Sequence, residues 1–171
     1  IWKVRPREFN FLYMAVNAFQ IDNSDYSVVS AEIKRAIMAY NARLFIYDAN
    51  GIGASLRDWI NKEQIDPTTG QLLPAYGIIN PPKASEKDIK KVNKALEICL
   101  EIKASGEING HINKIFFSKM GTNSVRMLVK SQAAIEALKK YKSFATAASN
   151  KKKKMLAPYF YIDKLEEEMK N

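Results

Sequence analysis

The stretch that decides the fold is LFIYDANGIGASLRDWI, residues 44–60. Its first four residues have the β-branched and aromatic bias of a short buried strand, and its last seven have the periodicity of an amphipathic helix. Asp48 therefore stands at the carboxyl end of a predicted strand, beside a turn that contains Gly51 and Gly53. In open α/β sheets this edge is where loops diverge and ligands or metals collect. The stretch predicts an α/β fold with a candidate site at Asp48.

The chain on either side of this stretch alternates between predicted strands and helices. A hairpin leads from the first residues into a strand over 10–21, and a helix capped by Ser24 or Asp25 runs to about Tyr40. The later predicted elements are a helix at 54–63, a strand at 75–80, a helix from Ser85, a strand over 97–103, a helix at 106–120, a strand at 124–130, a Lys-rich helix at about 133–142 and a closing helix over 161–171 with Asp163 in its first turn. In the strand over 97–103, the alternation predicts that Ile98, Leu100 and Ile102 point inward. It predicts that Glu97, Glu101 and Lys103 point outward. This order predicts a central mixed sheet with helices on both faces.

Composition points to one soluble domain in a reducing compartment. The 171 residues, of which 47% are hydrophobic, are enough to bury one sizeable core, so 1–171 is predicted to be a single domain. No apolar stretch approaches the roughly 20 residues that span a bilayer, and no signal peptide is visible. The single cysteine, Cys99, is predicted to be a buried structural thiol, and the single histidine, His111, excludes the common Cys/His zinc patterns.

The net charge of +9 is concentrated in the second half of the chain. Residues 1–85 carry nine Lys or Arg against eight Asp or Glu, whereas residues 86–171 carry eighteen against ten. The densest run is Lys151, Lys152, Lys153 and Lys154, which follows a small polar segment typical of a mobile loop. Such lysines would contact a DNA backbone through salt-dependent phosphate interactions, and a simply solvated loop is the alternative.

Several segments, taken in order, resemble the nuclease domain of bacteriophage terminase large subunits, the DNA-packaging motor proteins. The strand, acidic residue and glycine turn of that domain resemble IYDANGIGASLRDWI, and the similarity continues on both sides of it. The other similar segments are VSAEIKRAIMAYNAR, YGIINPP, EIKASGEINGHI, VRMLVKSQAAIEAL and LAPYFYIDKLEEEMKN. The resemblance covers nearly the whole chain.

This resemblance implies an RNase H-like fold that cuts concatemeric viral DNA with two divalent ions, Mg²⁺ or Mn²⁺. Asp48 matches the acidic residue that ends the central strand in the family and would be both a catalytic residue and a metal ligand, while Gly51 and Gly53 would support the turn beside it. The implied partners are double-stranded DNA, an ATPase motor domain, the small terminase subunit and the portal, with no membrane. The implied location is the cytoplasm of an infected or prophage-carrying bacterium.

The sequence departs from the family pattern at both ends. The family begins this domain with a strand that ends in another catalytic aspartate and closes with a third acidic residue, and neither is visible here. We therefore expect a fragment truncated at both ends, which is inactive by itself because one carboxylate cannot neutralise two divalent ions. Asp58 and the acidic residues of the closing helix are poorer ligand candidates, since their spacing is typical of solvated helix faces; the latter are Asp163, Glu166, Glu167 and Glu168.

Two other functions fit the same residues. A different RNase H-like nuclease, such as a junction resolvase or a transposase-type enzyme, would share a strand-end aspartate. A non-catalytic basic module that docks nucleic acid or protein would instead use Asp48 as a helix-cap or turn residue before the glycines.

Overall fold

A computed structural model describes residues 1–23, 25–50, 52–80 and 95–168. Within these ranges the chain is a mixed α/β protein with three small sheets and six helices, which confirms the predicted α/β class. The predicted helix from Ser85 falls on 81–94 and lies outside the described residues, as does the alternative helix cap at Ser24. No helix of the described ranges is long and apolar enough to cross a membrane.

The strands and helices are numbered here in chain order. The strands are β1 (Trp2–Pro6), β2 (Phe11–Ala15), β3 (Phe45–Asp48), β4 (Gln64–Ile65), β5 (Leu72–Leu73), β6 (Tyr76–Ile78), β7 (Leu96–Ile102) and β8 (Val125–Arg126). The helices are α1 (Tyr26–Tyr40), α2 (Ile52–Ile60), α3 (Gly106–Gly121), α4 (Ser131–Lys139), α5 (Lys142–Ala145) and α6 (Ser149–Glu168).

The chain divides into two compact units. Ile21–Asn109 forms one, called here the central unit, and Ile1–Gln20 with Gly110–Asn171 forms the other, called the terminal unit. The strands form three sheets of order β1-β2-β8, β3-β7-β6 and β4-β5, so the structure differs from the prediction of one central sheet. The strands at 11–15 and 45–48 belong to different sheets.

In the terminal unit, the predicted hairpin is confirmed. β1 and β2 pair antiparallel, and β2 pairs parallel with β8 on its other side. The predicted strand over 10–21 ends early, at Ala15, and the predicted strand over 124–130 is reduced to two residues. Beyond Ala15 the regular ladder ends, since the N–H groups of Val16 and Asn17 both donate to the carbonyl of Ile1.

In the central unit, β7 lies between β3 and β6, and both pairings are parallel. Cys99 and Glu101, which are two residues apart and so on one face of this middle strand, are both buried. The prediction that Glu101 points outward is therefore wrong, because that face is covered. β3 is an edge strand with one open face, so Ile46 is exposed and the strand is less buried than predicted.

The predicted position of helix α1 is confirmed, and the helix covers the β3-β7-β6 sheet. It begins after Asp25, whose carboxylate accepts a hydrogen bond from the Ser27 N–H at 2.8 Å, and it ends at Asn41 in the left-handed conformation. Its buried face is centred on Ser30, Ala31, Lys34 and Ile37, and Tyr40 at its end is exposed. The core of the unit comprises Ile37, Tyr47, Ala49, Ile60, Tyr76, Ile78, Ile98 and Cys99.

The closing helix is longer than predicted and includes the lysine run. Lys151 to Lys154 lie near the start of α6, so the prediction of a mobile loop there is wrong. The helix forms because Leu156 packs against Ala134 and Phe144 of the preceding helices, which fixes one face of the segment. For the same reason Asp163 lies well inside α6 and not in the first turn of a separate helix.

Candidate functional site

Asp48 occupies the predicted position at the carboxyl end of a strand. It is the last residue of β3, its side chain is exposed, and it pairs in register with Ile102, the last residue of the parallel strand β7. Because the two strands run in the same direction, the loops that follow them leave the sheet at one edge. The structure therefore places the Asp48 carboxylate at the open edge where two loops meet.

The Asp48 carboxylate is held by the backbone of both loops. Its Oδ1 accepts a hydrogen bond from the Asn50 N–H at 2.9 Å and a longer one from the Ala104 N–H at 3.3 Å. Asn50 in turn donates its side-chain amide to the Ala104 carbonyl at 2.7 Å, and the Ala49 N–H donates to the carbonyl of Ile102. Among the described residues, both hydrogen bonds to this carboxylate end on Oδ1, and none is made to Oδ2.

Gly53 is required for the approach of helix α2 to this edge. A Cβ atom at this position would lie 1.8 Å from the Asp48 carbonyl oxygen, far inside any van der Waals contact. The Gly53 N–H donates to the carbonyl of Asn50 at 3.1 Å, which closes the turn. Glycine is therefore needed at residue 53 for close backbone approach. Gly51, predicted to share this role, lies outside the described residues.

A buried ion pair lies one residue before the edge. Glu101 is opposite Tyr47 in the β3-β7 register, and its two carboxylate oxygens accept from the Arg57 Nε and Nη2 at 2.5 and 2.7 Å. The Tyr47 hydroxyl donates to the same carboxylate. Burial, together with this hydrogen bond, raises the pKa of Tyr47, and the bond to Glu101 raises the pKa of Arg57. The cluster anchors α2 to the sheet directly beneath Asp48.

Sequence reasoning missed this cluster because its members are distant in the chain. Arg57 and Glu101 are 44 residues apart, and their contact depends on the register of β3 against β7. The only local signal is an acidic residue inside the apolar strand CLEI. Asn80 was likewise missed: its side chain accepts from the Glu101 N–H at 2.9 Å and donates to the Glu101 carbonyl at 2.8 Å, which extends β6 past its last residue.

The other acidic candidates have individual environments within their own units. Asp58 is exposed on α2, and no three His, Cys, Asp or Glu side chains in the described part of the chain are grouped so that they could hold a metal ion. Asp163 accepts from the Ser131 N–H at 3.2 Å and so caps α4, which lacks a cap from its own Lys130. Glu166 pairs with Lys130 at 3.5 Å. These two acidic residues therefore have packing roles inside the terminal unit.

Of the remaining sequence candidates, Cys99 has the buried environment that was predicted for it, whereas the lysine run lies in a helix and not in the predicted loop. Cys99 is fully buried, and burial raises the pKa of its thiol to about 12, which makes it an inert structural thiol. His111 is exposed on α3. Of the four lysines, Lys152 is partly buried and donates to the Ala145 carbonyl at 3.0 Å, while the others are exposed near the start of α6: Lys151, Lys153 and Lys154.

Comparison of the chain with protein-family models, with curated proteins and with solved structures found no match.

Proposed function

We propose that this chain is the metal-dependent DNA endonuclease domain of a bacteriophage terminase, with the RNase H-like arrangement that the sequence resemblance implies. The observation that supports it best is the Asp48 carboxylate: it is exposed at the carboxyl end of a parallel strand and fixed by two backbone N–H groups on one oxygen. A metal ligand needs this combination of a defined position and a free oxygen.

The donor chemistry of the edge fits a hard divalent cation. Asp48 supplies a carboxylate oxygen, and the Asn50 side chain and the Ala104 carbonyl supply further oxygen atoms nearby, which are the ligands that Mg²⁺ and Mn²⁺ prefer. When bound, two such ions activate water and stabilise the leaving oxygen of a phosphodiester. Asp48 would hold one of them, and the other carboxylates would be those that the family pattern places on its first strand and after its closing helix.

DNA would be held in part by the lysines at the start of α6. Lys151, Lys153 and Lys154 are exposed, and a helix places their ammonium groups more rigidly than a loop would. Backbone contacts of this kind attract duplex DNA without reading its sequence. The ATPase motor, the small terminase subunit and the portal are the protein partners of this proposal, and an infected or prophage-carrying bacterium is the setting.

A non-catalytic docking module is the second candidate, and one observation favours it. Both hydrogen bonds of Asp48 are those of a turn residue that ties its own loop to the loop after β7. In that function the carboxylate binds no metal, and Asp48 only stabilises the turn after β3 in a basic α/β protein.

The variant Asp48→Asn separates these two functions. Asparagine keeps an oxygen that can accept from Asn50 and Ala104, so the turn is preserved, but it removes the charge that a metal needs. In the intact terminase we expect Mn²⁺-dependent nicking of linear duplex DNA to fall at least a hundredfold, with ATP hydrolysis unchanged. Asp58→Asn, which alters an exposed carboxylate on α2, is the matched control. Normal cleavage by the Asp48→Asn protein would reject the nuclease and leave the docking module.

A further inference from the structure

The β1–β2 hairpin exposes large aromatic side chains. Phe9, in the connection between the strands, is 91% exposed, and Trp2 and Phe11 are 44% and 51% exposed. A single exposed apolar residue is common, but three exposed aromatic residues in one short hairpin are typical of a binding surface.

Two of these aromatic residues share one face of the hairpin. Trp2 pairs with Ala15, and Pro6 pairs with Phe11, so the period of two along a strand places Trp2, Val4 and Pro6 on the same face as Phe11. Val4 between them is also half exposed. At about 3.3 Å per residue, the face extends roughly 13 Å from Trp2 to the turn that carries Phe9. This is a row of flat contact surfaces along an edge strand.

The charge of the hairpin selects an anionic partner. Lys3, Arg5 and Arg7 are exposed and alternate with the apolar residues of β1 and the turn, and Glu8 is the only acidic residue in the first sixteen. By the same period of two, Lys3 and Arg5 point to the opposite face of this edge strand from Trp2 and Val4, so a partner that runs along the edge meets rings on one side and cations on the other. Aromatic rings interleaved with cations fit a partner that has both planar groups and negative charges.

We propose that this hairpin is a binding site for single-stranded DNA. Unpaired bases stack on Phe9, Phe11 and Trp2, while Lys3 and Arg5 contact the phosphates. Duplex DNA does not satisfy the site, because its bases are already stacked on one another and present no free face to a side chain. The choice of DNA rests on the proposed function, but the site itself requires neither Asp48 nor a metal ion.

The test compares oligothymidylate with a duplex of the same length by fluorescence anisotropy, without divalent ions. Stacking of a base on an aromatic side chain contributes about 1–3 kcal/mol. The double variant Phe9→Ser, Phe11→Ser is therefore expected to bind oligothymidylate at least tenfold more weakly, with duplex binding unchanged because no charge is altered. The double variant Phe9→Tyr, Phe11→Tyr keeps the rings and should bind like the parent. The control Ile65→Ser, Leu72→Ser changes an exposed cross-strand pair on β4 and β5 and should have no effect.

A second measurement remains valid if the serine variant fails to fold. Trp59→Phe leaves Trp2 as the only tryptophan, so quenching of its fluorescence by oligothymidylate, but not by duplex, reports stacking on the hairpin. The absence of quenching, an equal loss of single-strand and duplex binding, or tyrosine variants as weak as serine variants would each overturn the proposal. So would a dimer that dissociates in the serine variant while oligothymidylate binding persists, since the face would then be a protein interface. None of these outcomes changes the interpretation of the Asp48→Asn cleavage test.

Discussion

The edge at Asp48 and the β1–β2 hairpin both present side chains at the margin of a small sheet, but they hold them differently. At Asp48 the carboxylate, the adjoining amides and the buried pair of Arg57 and Glu101 all have defined partners within the central unit. On the hairpin, Trp2, Phe9 and Phe11 are open to solvent. Fixed polar groups suit a reaction that requires defined positions, whereas exposed aromatic faces suit a flexible ligand that stacks on them.

The buried ion pair gives the largest expected contrast between the two units. The Glu101 side chain is only 5% exposed, so Arg57→Ala leaves a carboxylate buried and unpaired and should lower the free energy of unfolding by about 3–5 kcal/mol. Lys130→Ala breaks the exposed pair with Glu166 in the terminal unit and should cost less than about 1 kcal/mol. Urea denaturation measures both. Similar decreases in the free energy of unfolding for the two variants would show that the buried pair stabilises the central unit no more than the exposed pair stabilises the terminal unit.

Two glycines give a second contrast of opposite sign. Gly53→Ala places a Cβ against the Asp48 carbonyl and should destabilise the protein by about 1–3 kcal/mol. Gly110→Ala, in the exposed helix α3, meets nothing within 4 Å and should stabilise it by about 0.5–1 kcal/mol through helix propensity. Thermal unfolding of the two variants provides the comparison. A neutral Gly53→Ala would mean that the turn at the edge can yield.

The central unit also predicts a dependence of stability on pH. Lys34 is fully buried and donates to the Lys62 carbonyl, and its burial, followed by repulsion from Lys62, lowers its pKa to about 8 from the usual 10.5. Between these values the unfolded chain binds more protons than the folded one, so the stability contributed by this site rises with pH. The difference in the free energy of unfolding between the parent and Lys34→Met should change by about 2–3 kcal/mol from pH 8 to pH 10.5. Parallel stability curves for the two proteins would contradict the burial of a charged amine.

The smallest effect concerns duplex DNA and the start of α6. Changing Lys151, Lys153 and Lys154 to Gln should weaken binding and reduce the slope of log affinity against log salt by up to about 3, since each phosphate that is no longer neutralised lowers the slope by about 0.9. Lys152→Gln alone should change it less, because that side chain is partly buried on the Ala145 carbonyl. Anisotropy titrations over a range of salt concentrations measure the slope. An unchanged slope for the triple variant would remove α6 from the duplex-binding surface.

Local patterns in the sequence predicted the elements around Asp48 correctly. The apolar run before Asp48 and the periodicity after Asp25 depend on neighbouring residues only, so β3 and α1 were found at nearly their true bounds. The position of Asp48 at an exposed strand end followed from the same signals. Its role in metal binding stays a prediction.

The features that sequence reasoning missed depend on contacts between distant residues. The burial of Glu101 requires Arg57 to reach it across the sheet, and nothing near Glu101 in the chain indicates that partner. The lysine run was predicted as a loop because small polar residues precede it, but the packing of Leu156 on Phe144 makes the segment helical. The strand ending at Ala15 was overextended because its apolar pattern continues past its last paired residue.

The two side chains that accept backbone hydrogen bonds at the carboxyl edge have a consequence for the kinetics of local opening. The amide protons of Glu101 and Ala104 are held by Asn80 and Asp48, not by the regular sheet ladder. In hydrogen–deuterium exchange we therefore expect the exchange rate of each of these amide protons to report on the side chain that accepts its hydrogen bond. Asn80→Ala should accelerate exchange at Glu101, and removal of the Asp48 side chain should accelerate it at both Asn50 and Ala104. A cation that draws Asp48 away from its loop would be visible first as faster exchange of the Asn50 and Ala104 amide protons.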